Sequence, residues 1–186
     1  MKLYHSTASP HSRRVRMFMA EKGIAIPLQL VNLAENEQFS DAFKAINPRQ
    51  QVPVLVLDDG TAIAEVPAIW RFLEENHPER PLLGSDATGK ARVTMWERRA
   101  ELDGFAPTME GVRNSVPGLK GRALSGPHDY EQIPDLAERS RRRVANFYAD
   151  FDTRLAQVPF VAGADFSAAD ITAVVTIDFA RPSAKA

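Results

Sequence analysis

Hydroxyl side chains cluster near the start of the chain, around the stretch TASPHSRRVRMF at residues 7–18; they are Ser6, Thr7, Ser9 and Ser12. Apolar residues at helical spacing follow this stretch, which predicts a helix that begins close to Pro10. A serine just before a proline suits the cap of a helix, so Ser9 is predicted to be the N-cap. A hydroxyl at that place also stands beside unpaired N–H groups, which stabilise anions. The stretch is therefore predicted to be both a turn and a candidate active site.

The chain contains no cysteine, and its four histidines, His5, His11, His77 and His128, show no ligand spacing. The lack of cysteine excludes disulfides, thiolate metal sites and a cysteine nucleophile. The sequence has no HExxH motif and no glycine-rich phosphate loop, so neither a metal nor nucleotide hydrolysis is expected. If the chain performs thiol chemistry, a ligand must supply the sulfur.

The charge balance gives no sign of a nucleic-acid or membrane partner. The formal net charge is −1 at pH 7 and the isoelectric point is about 6.4, so no basic surface is indicated. The longest apolar runs, such as 52–57, are too short to span a bilayer. The N-terminus MKLYHSTASP lacks the apolar region of a signal peptide. We therefore expect a cytoplasmic globular protein.

The first half of the chain alternates strand and helix patterns. Short apolar runs predict strands at 2–5, 26–31, 52–57 and 62–64. Helical spacing predicts helices from Ser12 to the C-cap Gly23, around 39–46, and at 66–75. Asp58-Asp59-Gly60, between the last two strands, is typical of a hairpin. The predicted order is β-α-β-α-β-β-α.

The second half is predicted to be helical after a linker rich in proline and glycine. Apolar residues recur at helical spacing around Trp96 and again around Phe147. Ser167 to Asp170 resembles a capping box. The arginines at 139 and 141–143 are interpreted as a solvated face paired with nearby acids rather than an anion site. The predicted domains are 1–76, a linker at 77–88, and an all-helical domain at 89–186.

Four ordered stretches together resemble the soluble glutathione S-transferases, with zeta- and tau-like motifs. SPHSRRVRMFMAEKGI is similar to the first helix of the serine-dependent classes, and QFSDAFKAINPRQQVPVL to the zeta class. DDGTAIAEVPAIWRFLEE resembles the hairpin and third helix of the glutathione site. FVAGADFSAADITA is similar to the capped core helix of the family. The resemblance covers nearly the whole chain. It implies an α/β thioredoxin-like N-terminal domain, an all-α C-terminal bundle, and glutathione as cosubstrate.

The resemblance implies how glutathione would bind. Val52, before a cis Pro53, would pair its backbone with the cysteine portion of the peptide, as an added strand does. Glu65 would pair with the ligand's ammonium group. The N–H of Val66, at a helix N-terminus, would bind the γ-glutamyl carboxylate. Val66 stands where the family usually has serine, so one side-chain hydrogen bond is missing.

Three further polar side chains are candidates for the glutathione site. Gln51 and Gln38 would reach the glycyl end, as matching glutamines do in the zeta class, and solvated surface amides are the alternative interpretation. His11 is a candidate ligand contact, although a solvated histidine at a helix start is also typical.

The catalytic hydroxyl of the serine-dependent classes stands at the position of Ser9. A free thiol with a pKa of about 8.5 is mostly protonated at pH 7, and lowering that value by about two units requires roughly 2.7 kcal/mol. A hydroxyl donor together with helix N–H groups supplies energy of that order. Ser6, Thr7 and Ser12 remain alternatives for this role.

The resemblance also implies a pocket for the second substrate, a small hydrophobic electrophile. The pocket is expected between the domains, with Phe105, Met109, Val112 and Arg113 as candidates on the first helix after the linker. Core packing is the alternative role for such residues. Three functions follow: a glutathione transferase, an isomerase of a maleylacetoacetate-like substrate, or a non-catalytic binding protein. The family pairing of domains implies a homodimer.

The end of the chain departs from the family pattern. Family members continue past the capped helix with more helical sequence before an ending like ARPSAKA, whereas here that ending follows the helix directly. We therefore expect a gap of roughly 20–40 residues, one or two helices of ordinary length, between about Ala180 and Arg181.

Overall fold

A computed structural model describes residues 1–181 of the chain. The end of the predicted helical domain, residues 182–186 with most of the ARPSAKA ending, lies outside the described residues. The chain divides into two compact units. The first comprises Met1–Arg80 together with Ser125–Pro127, and the second comprises Pro81–Leu124 and the chain from His128 onward.

The first unit is a four-stranded sheet with three α-helices and a short 3-10 helix at Glu37–Phe39, in the predicted order β-α-β-α-β-β-α. Its strands are β1 (Lys2–His5), β2 (Leu28–Leu30), β3 (Val54–Val56) and β4 (Ala62–Ala64), and its helices are α1 (Pro10–Lys22), α2 (Asp41–Ile46) and α3 (Val66–Asn76). The strands lie in the order β2-β1-β3-β4, with β1 parallel to β2 and the other pairs antiparallel. This arrangement confirms the thioredoxin-like class.

Helix α1 begins and ends where its sequence predicts. Ser9 is the N-cap, and its side chain accepts a hydrogen bond from the backbone of Ser12. Gly23 has φ 69° and bonds back to the last carbonyls of the helix, a conformation that glycine adopts without steric cost. The apolar face of α1 packs against α3, where the rings of Phe18 and Trp70 stack with centroids 5.4 Å apart.

The second unit is helical in all its regular elements. Its helices are α4 (Ala87–Arg99), α5 (Ala106–Ser115), α6 (Pro134–Leu155) and α7 (Ala168–Ala180), and a π-helical turn at Ala100–Phe105 joins α4 to α5. Helix α4 begins within the segment 77–88 that the sequence assigns to a linker. The π turn was not predicted. Pro107 accounts for it, because a proline cannot donate to the carbonyl four residues earlier and the helix widens before it.

The predicted cap of the second unit is confirmed, and the predicted charge pairing is confirmed for Arg139 and Arg141. Ser167 and Asp170 form a capping box at the start of α7, with the Ser167 N–H 2.9 Å from Asp170 Oδ2. On α6, Arg139 lies 3.2 Å from Glu110 and Arg141 lies 2.7 Å from Glu138. In the part of the chain that the structure describes, no helix has the length and apolar character needed to cross a bilayer.

Candidate functional site

Three of the sequence-predicted segments lie at the same end of strands β1, β3 and β4. Tyr4 of β1 lies opposite Val54 of β3, and Val54 lies opposite Ala64 of β4. These three residues form a row across the antiparallel strands. The segments directly beyond the row are 6–9, 51–53 and 65–66. The residues predicted to hold a thiol, a peptide backbone and an amino-acid group are therefore neighbours in the fold.

Ser9 is 5% exposed and lies at the N-terminus of α1. Its Oγ accepts a hydrogen bond from the N–H of Ser12 at 3.2 Å. Since a hydroxyl both donates and accepts, the Ser9 proton remains available, and no described residue accepts it. The positive end of the α1 dipole lies at the same place. This arrangement stabilises a negative charge in front of α1.

The other hydroxyls of the cluster have different environments. The N–H of Ser6 donates to Ser12 Oγ at 3.2 Å, and Ser12 is fully buried. The carbonyl of Ser6 accepts a hydrogen bond from Arg16 at 3.0 Å. Thr7 is exposed. The contacts of Ser6 and Ser12 therefore fix the shape of the loop.

A contact between His5 and Arg16, which was not predicted, supports this loop. Arg16 Nη1 lies 2.8 Å from His5 Nδ1, and His5 is 7% exposed. Burial lowers the pKa of His5, and the Arg16 charge lowers it further. The neutral imidazole accepts at Nδ1 when Nε2 carries the proton. The alternation of β1 was the available signal, because it places His5 on the same buried face as Leu3.

The peptide bond between Val52 and Pro53 is cis, as predicted. Among residues 1–181, neither the amide nor the carbonyl of Val52 hydrogen-bonds to another group. This segment therefore offers one backbone donor and one backbone acceptor to an extended peptide.

The two glutamines have different surroundings. The carbonyl of Gln51 accepts a hydrogen bond from Asn47 Nδ2 at 2.8 Å, and Gln51 Nε2 donates to Ser125 Oγ at 3.2 Å. Gln38 is 8% exposed, and its Oε1 has no hydrogen-bond partner among the described residues. A buried amide oxygen without a donor costs about 1–3 kcal/mol, so Gln38 has unused capacity to bind a ligand.

Glu65 and Val66 form the start of α3. Glu65 has φ 70° and ψ 129° and an exposed side chain. Such a backbone conformation costs about 1–3 kcal/mol in a residue other than glycine, and strain of this kind is concentrated at functional sites. Because Pro67 has no N–H, the unpaired amides of the first turn belong to Val66 and Ala68. The side chain of Val66 is 2% exposed.

His11 is half-buried in the first turn of α1.

The four candidates for the electrophile pocket have different environments. Phe105 is 2% exposed, and Met109 is half-buried. Val112 lines a cavity of about 810 Å³ between α5, α6 and the end of α7, lined also by Thr108, Tyr148 and Phe179. Arg113 donates to the carbonyl oxygens of Arg122 at 2.6 Å and Leu124 at 2.9 Å. Arg113 therefore fixes the loop that follows α5. Within residues 1–181, no cluster of three or more potential ligand side chains could hold a metal ion.

Comparison with known proteins identifies the family. The family model of the glutathione S-transferase N-terminal domain matches residues 3–81, and that of the C-terminal domain matches residues 134–186. Glutathione S-transferase 2 of Saccharomyces cerevisiae is 36% identical over 183 residues, which cover 97% of this chain and 76% of that protein. The crystal structure of Gtt2 from the same yeast aligns with a TM-score of 0.89 and 32% identity, covering 100% of this chain and 88% of that chain.

A second group of relatives aligns with a shorter part of the chain. Maleylacetoacetate isomerase of Pseudomonas aeruginosa is 40% identical over 94 residues, which cover 50% of this chain and 44% of that protein. The chain thus aligns with less than half the length of that relative. The chain belongs to the glutathione S-transferase family. The family and the class of enzyme predicted from the four motifs are confirmed.

Proposed function

We propose that this protein binds glutathione at the shared end of β1, β3 and β4. We further propose that Ser9 activates the glutathione thiol for attack on a small hydrophobic electrophile. The observation that carries the proposal is the buried Ser9 hydroxyl at the N-terminus of α1, whose proton is available for a ligand. A donor held in this position by its own capping bond stabilises a thiolate more than a thiol.

The three parts of glutathione match three groups of residues at this end of the strands. The backbone of Val52 pairs with the cysteinyl residue, which places the sulfur toward Ser9. The γ-glutamyl carboxylate binds the amides at the start of α3, and the Glu65 carboxylate binds the ammonium group. The glycyl end lies toward Gln51, whose side-chain amide can donate to the carboxylate, and toward Gln38, whose Oε1, unpaired within residues 1–181, can accept from the glycyl N–H. Each contact joins groups of opposite charge or a donor with an acceptor.

The chemistry requires only the thiolate and the electrophile. The sulfur forms a bond to the electrophilic carbon, and the leaving group departs with the bonding electrons, while the thiol proton is released to solvent. A thiol with an unperturbed pKa of about 8.5 is only a few per cent ionised at pH 7. A fall of about two units makes the thiolate the main form, which requires roughly 2.7 kcal/mol of preferential stabilisation.

A glutathione-dependent isomerase is the second candidate function. The stretch 38–55 resembles the zeta class, and a maleylacetoacetate isomerase aligns with 50% of the chain. In that reaction the thiolate adds reversibly to a cis-enone diacid and leaves again after rotation about the former double bond. No leaving group is lost, so the substrate must be an activated alkene rather than an aryl halide.

Calorimetric titration with glutathione up to millimolar concentration, followed by two activity assays, tests the proposal. We expect measurable heat of binding and glutathione-dependent turnover of a model aryl halide. Turnover of maleylacetone without conjugation of the halide would favour the isomerase. Binding without either activity would indicate a non-catalytic glutathione-binding protein. No heat and no thermal shift would contradict the proposed site itself.

The Val66→Ser variant tests the position that departs from the family pattern. A serine hydroxyl would add one hydrogen bond to the charged γ-glutamyl group, worth about 1.5–3 kcal/mol, so affinity for glutathione should rise roughly ten- to hundredfold at most. Burying a hydroxyl in place of an apolar side chain should lower the free energy of unfolding by about 1–2 kcal/mol. Calorimetry and urea unfolding measure the two effects. The control Ala45→Ser, at an exposed position of α2 outside the proposed glutathione contacts, should show neither.

We also propose that the protein is a homodimer. Met95 and Leu102 are 44% and 48% exposed on the helical segment that contains Trp96, so apolar surface is available to a second copy. The cytoplasm, whose thiol pool is glutathione, is the compartment in which this enzyme would act.

A further inference from the structure

The loop between α5 and α6 contributes a hydroxyl to the first unit. Its tip, Ser125–Pro127, is grouped with the strands and helices of residues 1–80. Ser125 Oγ accepts a hydrogen bond from Gln51 Nε2 at 3.2 Å, although the two residues are 74 positions apart. Gln51 directly precedes Val52, the residue proposed to pair with glutathione. A residue from the second half of the sequence therefore touches the glutathione site.

The stem of this loop is tied together by backbone and side-chain bonds. The N–H of Ala123 donates to the carbonyl of Tyr130 at 3.0 Å, and the N–H of Tyr130 donates to the carbonyl of Gly121 at 2.9 Å. Arg113 donates to the carbonyl oxygens of Arg122 and Leu124. These bonds close the loop on both sides of its tip. The position of Ser125 is therefore fixed rather than left to an open chain.

Gly126 shapes the tip itself. Its φ is +123°, a conformation that residues with a Cβ rarely adopt. A Cβ on Gly126 would lie 3.5 Å from Gln51 Nε2 and 3.8 Å from the carbonyl oxygen of Arg49. The backbone of the tip thus lies directly against the segment 49–51. A side chain at this position would disturb the conformation that holds Ser125.

Gln51 is held from both sides. Asn47 is 5% exposed and binds the Gln51 carbonyl, while Ser125 binds the side-chain amide. An amide nitrogen carries two protons, and a serine hydroxyl carries one. Gln51 Nε2 gives one of its protons to Ser125 Oγ. Its second proton and the hydroxyl proton of Ser125 are then both available to a single acceptor. Two adjacent donors match the two oxygens of a carboxylate.

We propose that Ser125 is a specificity-determining residue that positions Gln51 and, together with it, recognises the free glycyl carboxylate of glutathione. This inference rests on the proposed function, because it assigns the acceptor to the glycyl end of the bound peptide. It distinguishes a peptide thiol with a free C-terminal carboxylate from one in which that carboxylate is esterified or amidated.

Steady-state kinetics with glutathione and with its glycyl monoethyl ester test the proposal. For Ser125→Ala, KM for glutathione should rise roughly 3- to 10-fold, the effect of one solvent-exposed hydrogen bond, with kcat unchanged at saturating glutathione. KM for the ester should not change, so discrimination between the two thiols falls. Ser125→Thr retains a hydroxyl and should restore the discrimination, whereas Gly126→Ala should lose it through displacement of the tip. Ser115→Ala is the control, since that exposed hydroxyl bonds the carbonyl of Gly111.

The outcomes separate this inference from the function on which it rests. Equal effects of Ser125→Ala on glutathione and on the ester, or no effect on either, would overturn the role of Ser125 and leave the glutathione site intact. A failure of Ser125→Thr to restore discrimination would also overturn it. Failure of the unmodified protein to bind glutathione would overturn both proposals.

Discussion

A single arginine supports the loop that contains Ser9. Arg16 on α1 binds both His5 Nδ1 at 2.8 Å and the carbonyl of Ser6 at 3.0 Å. It therefore joins the end of β1 to the first residue of the loop. Burial, and then the nearby Arg13, lower the pKa of Arg16, and the guanidinium remains charged. A protonated His5 would place two cations in contact and would lose its acceptor at Nδ1.

The stability of the protein should accordingly depend on His5 below neutral pH. The pKa of His5 in the folded state is lower than its ordinary value of about 6.5. Below pH 6.5 the unfolded chain therefore takes up a proton that the folded chain still resists. The free energy of unfolding should fall as the pH drops from about 6.5 to the lowered pKa of the folded state. Urea unfolding at a series of pH values measures this change.

Replacement of the histidine identifies the group responsible. His5→Gln keeps an acceptor for Arg16 but does not titrate, so the pH dependence in this interval should become weaker. His128→Gln, at an exposed position, serves as the control and should retain it. The same pH dependence in His5→Gln as in the unmodified protein would show that other groups cause it.

At the level of elements, an ion pair with a buried lysine joins α1 to α3. Lys22 Nζ lies 2.7 Å from Glu74 Oε2 and also binds the carbonyl oxygens of Glu79 and Arg80 at 2.9 Å and 3.1 Å. The Lys22 side chain is 0% exposed. Lys22→Met removes one charged partner of Glu74 and three hydrogen bonds of the lysine, and should lower the free energy of unfolding by about 3 kcal/mol. Chemical denaturation gives the value.

Lys44→Met provides the matched control, because Lys44 pairs with Asp41 at 3.2 Å on the surface of α2. An exposed pair of this kind contributes only about 0–1 kcal/mol. Similar losses in the two variants would mean that the Lys22 contacts add nothing beyond a surface ion pair.

Elements with local causes were predictable from the sequence. Ser9 and Gly23 delimit α1 through bonds within a few residues, and the same holds for the capping box at Ser167. The π turn at Ala100–Phe105 was missed because hydrophobic spacing in a window of this length does not distinguish a widened turn from a regular one. The strand predicted at 26–31 is shorter in the structure, at Leu28–Leu30. Strand ends depend on their partner strands, which the sequence does not identify.

The candidate site likewise has parts that could be predicted from the sequence and parts that could not. The cis bond before Pro53 and the groups at Glu65 and Val66 followed from motifs that are continuous in sequence. The contacts of His5 with Arg16 and of Gln51 with Ser125 join residues 11 and 74 positions apart. A local pattern marks the burial of His5 but neither pairing, because each pairing depends on where the fold places two separate segments.

For the whole molecule, the proposed homodimer makes a prediction about mass. One chain has a mass of 20.6 kDa. Light scattering at micromolar concentration should give about twice this value, since closed two-fold dimers are the commonest oligomers. Substitution of Leu102 by Lys, in the exposed apolar segment of the second unit, should reduce the measured mass. A mass near that of one chain across the micromolar range would contradict the dimer.

The central claim is that Ser9 stabilises the bound glutathione thiolate, and the pH titration of thiolate absorbance in the saturated complex tests it most directly. The unmodified protein should lower the thiol pKa by about two units, and Ser9→Ala should raise it again and slow conjugation at pH 7 roughly 10- to 1000-fold. Ser9→Thr keeps both the cap and the hydroxyl and should titrate like the unmodified protein, as should Thr7→Ala. A thiolate titration that is unchanged in Ser9→Ala would contradict the account and transfer the role to Ser6, Thr7 or the amides of α1.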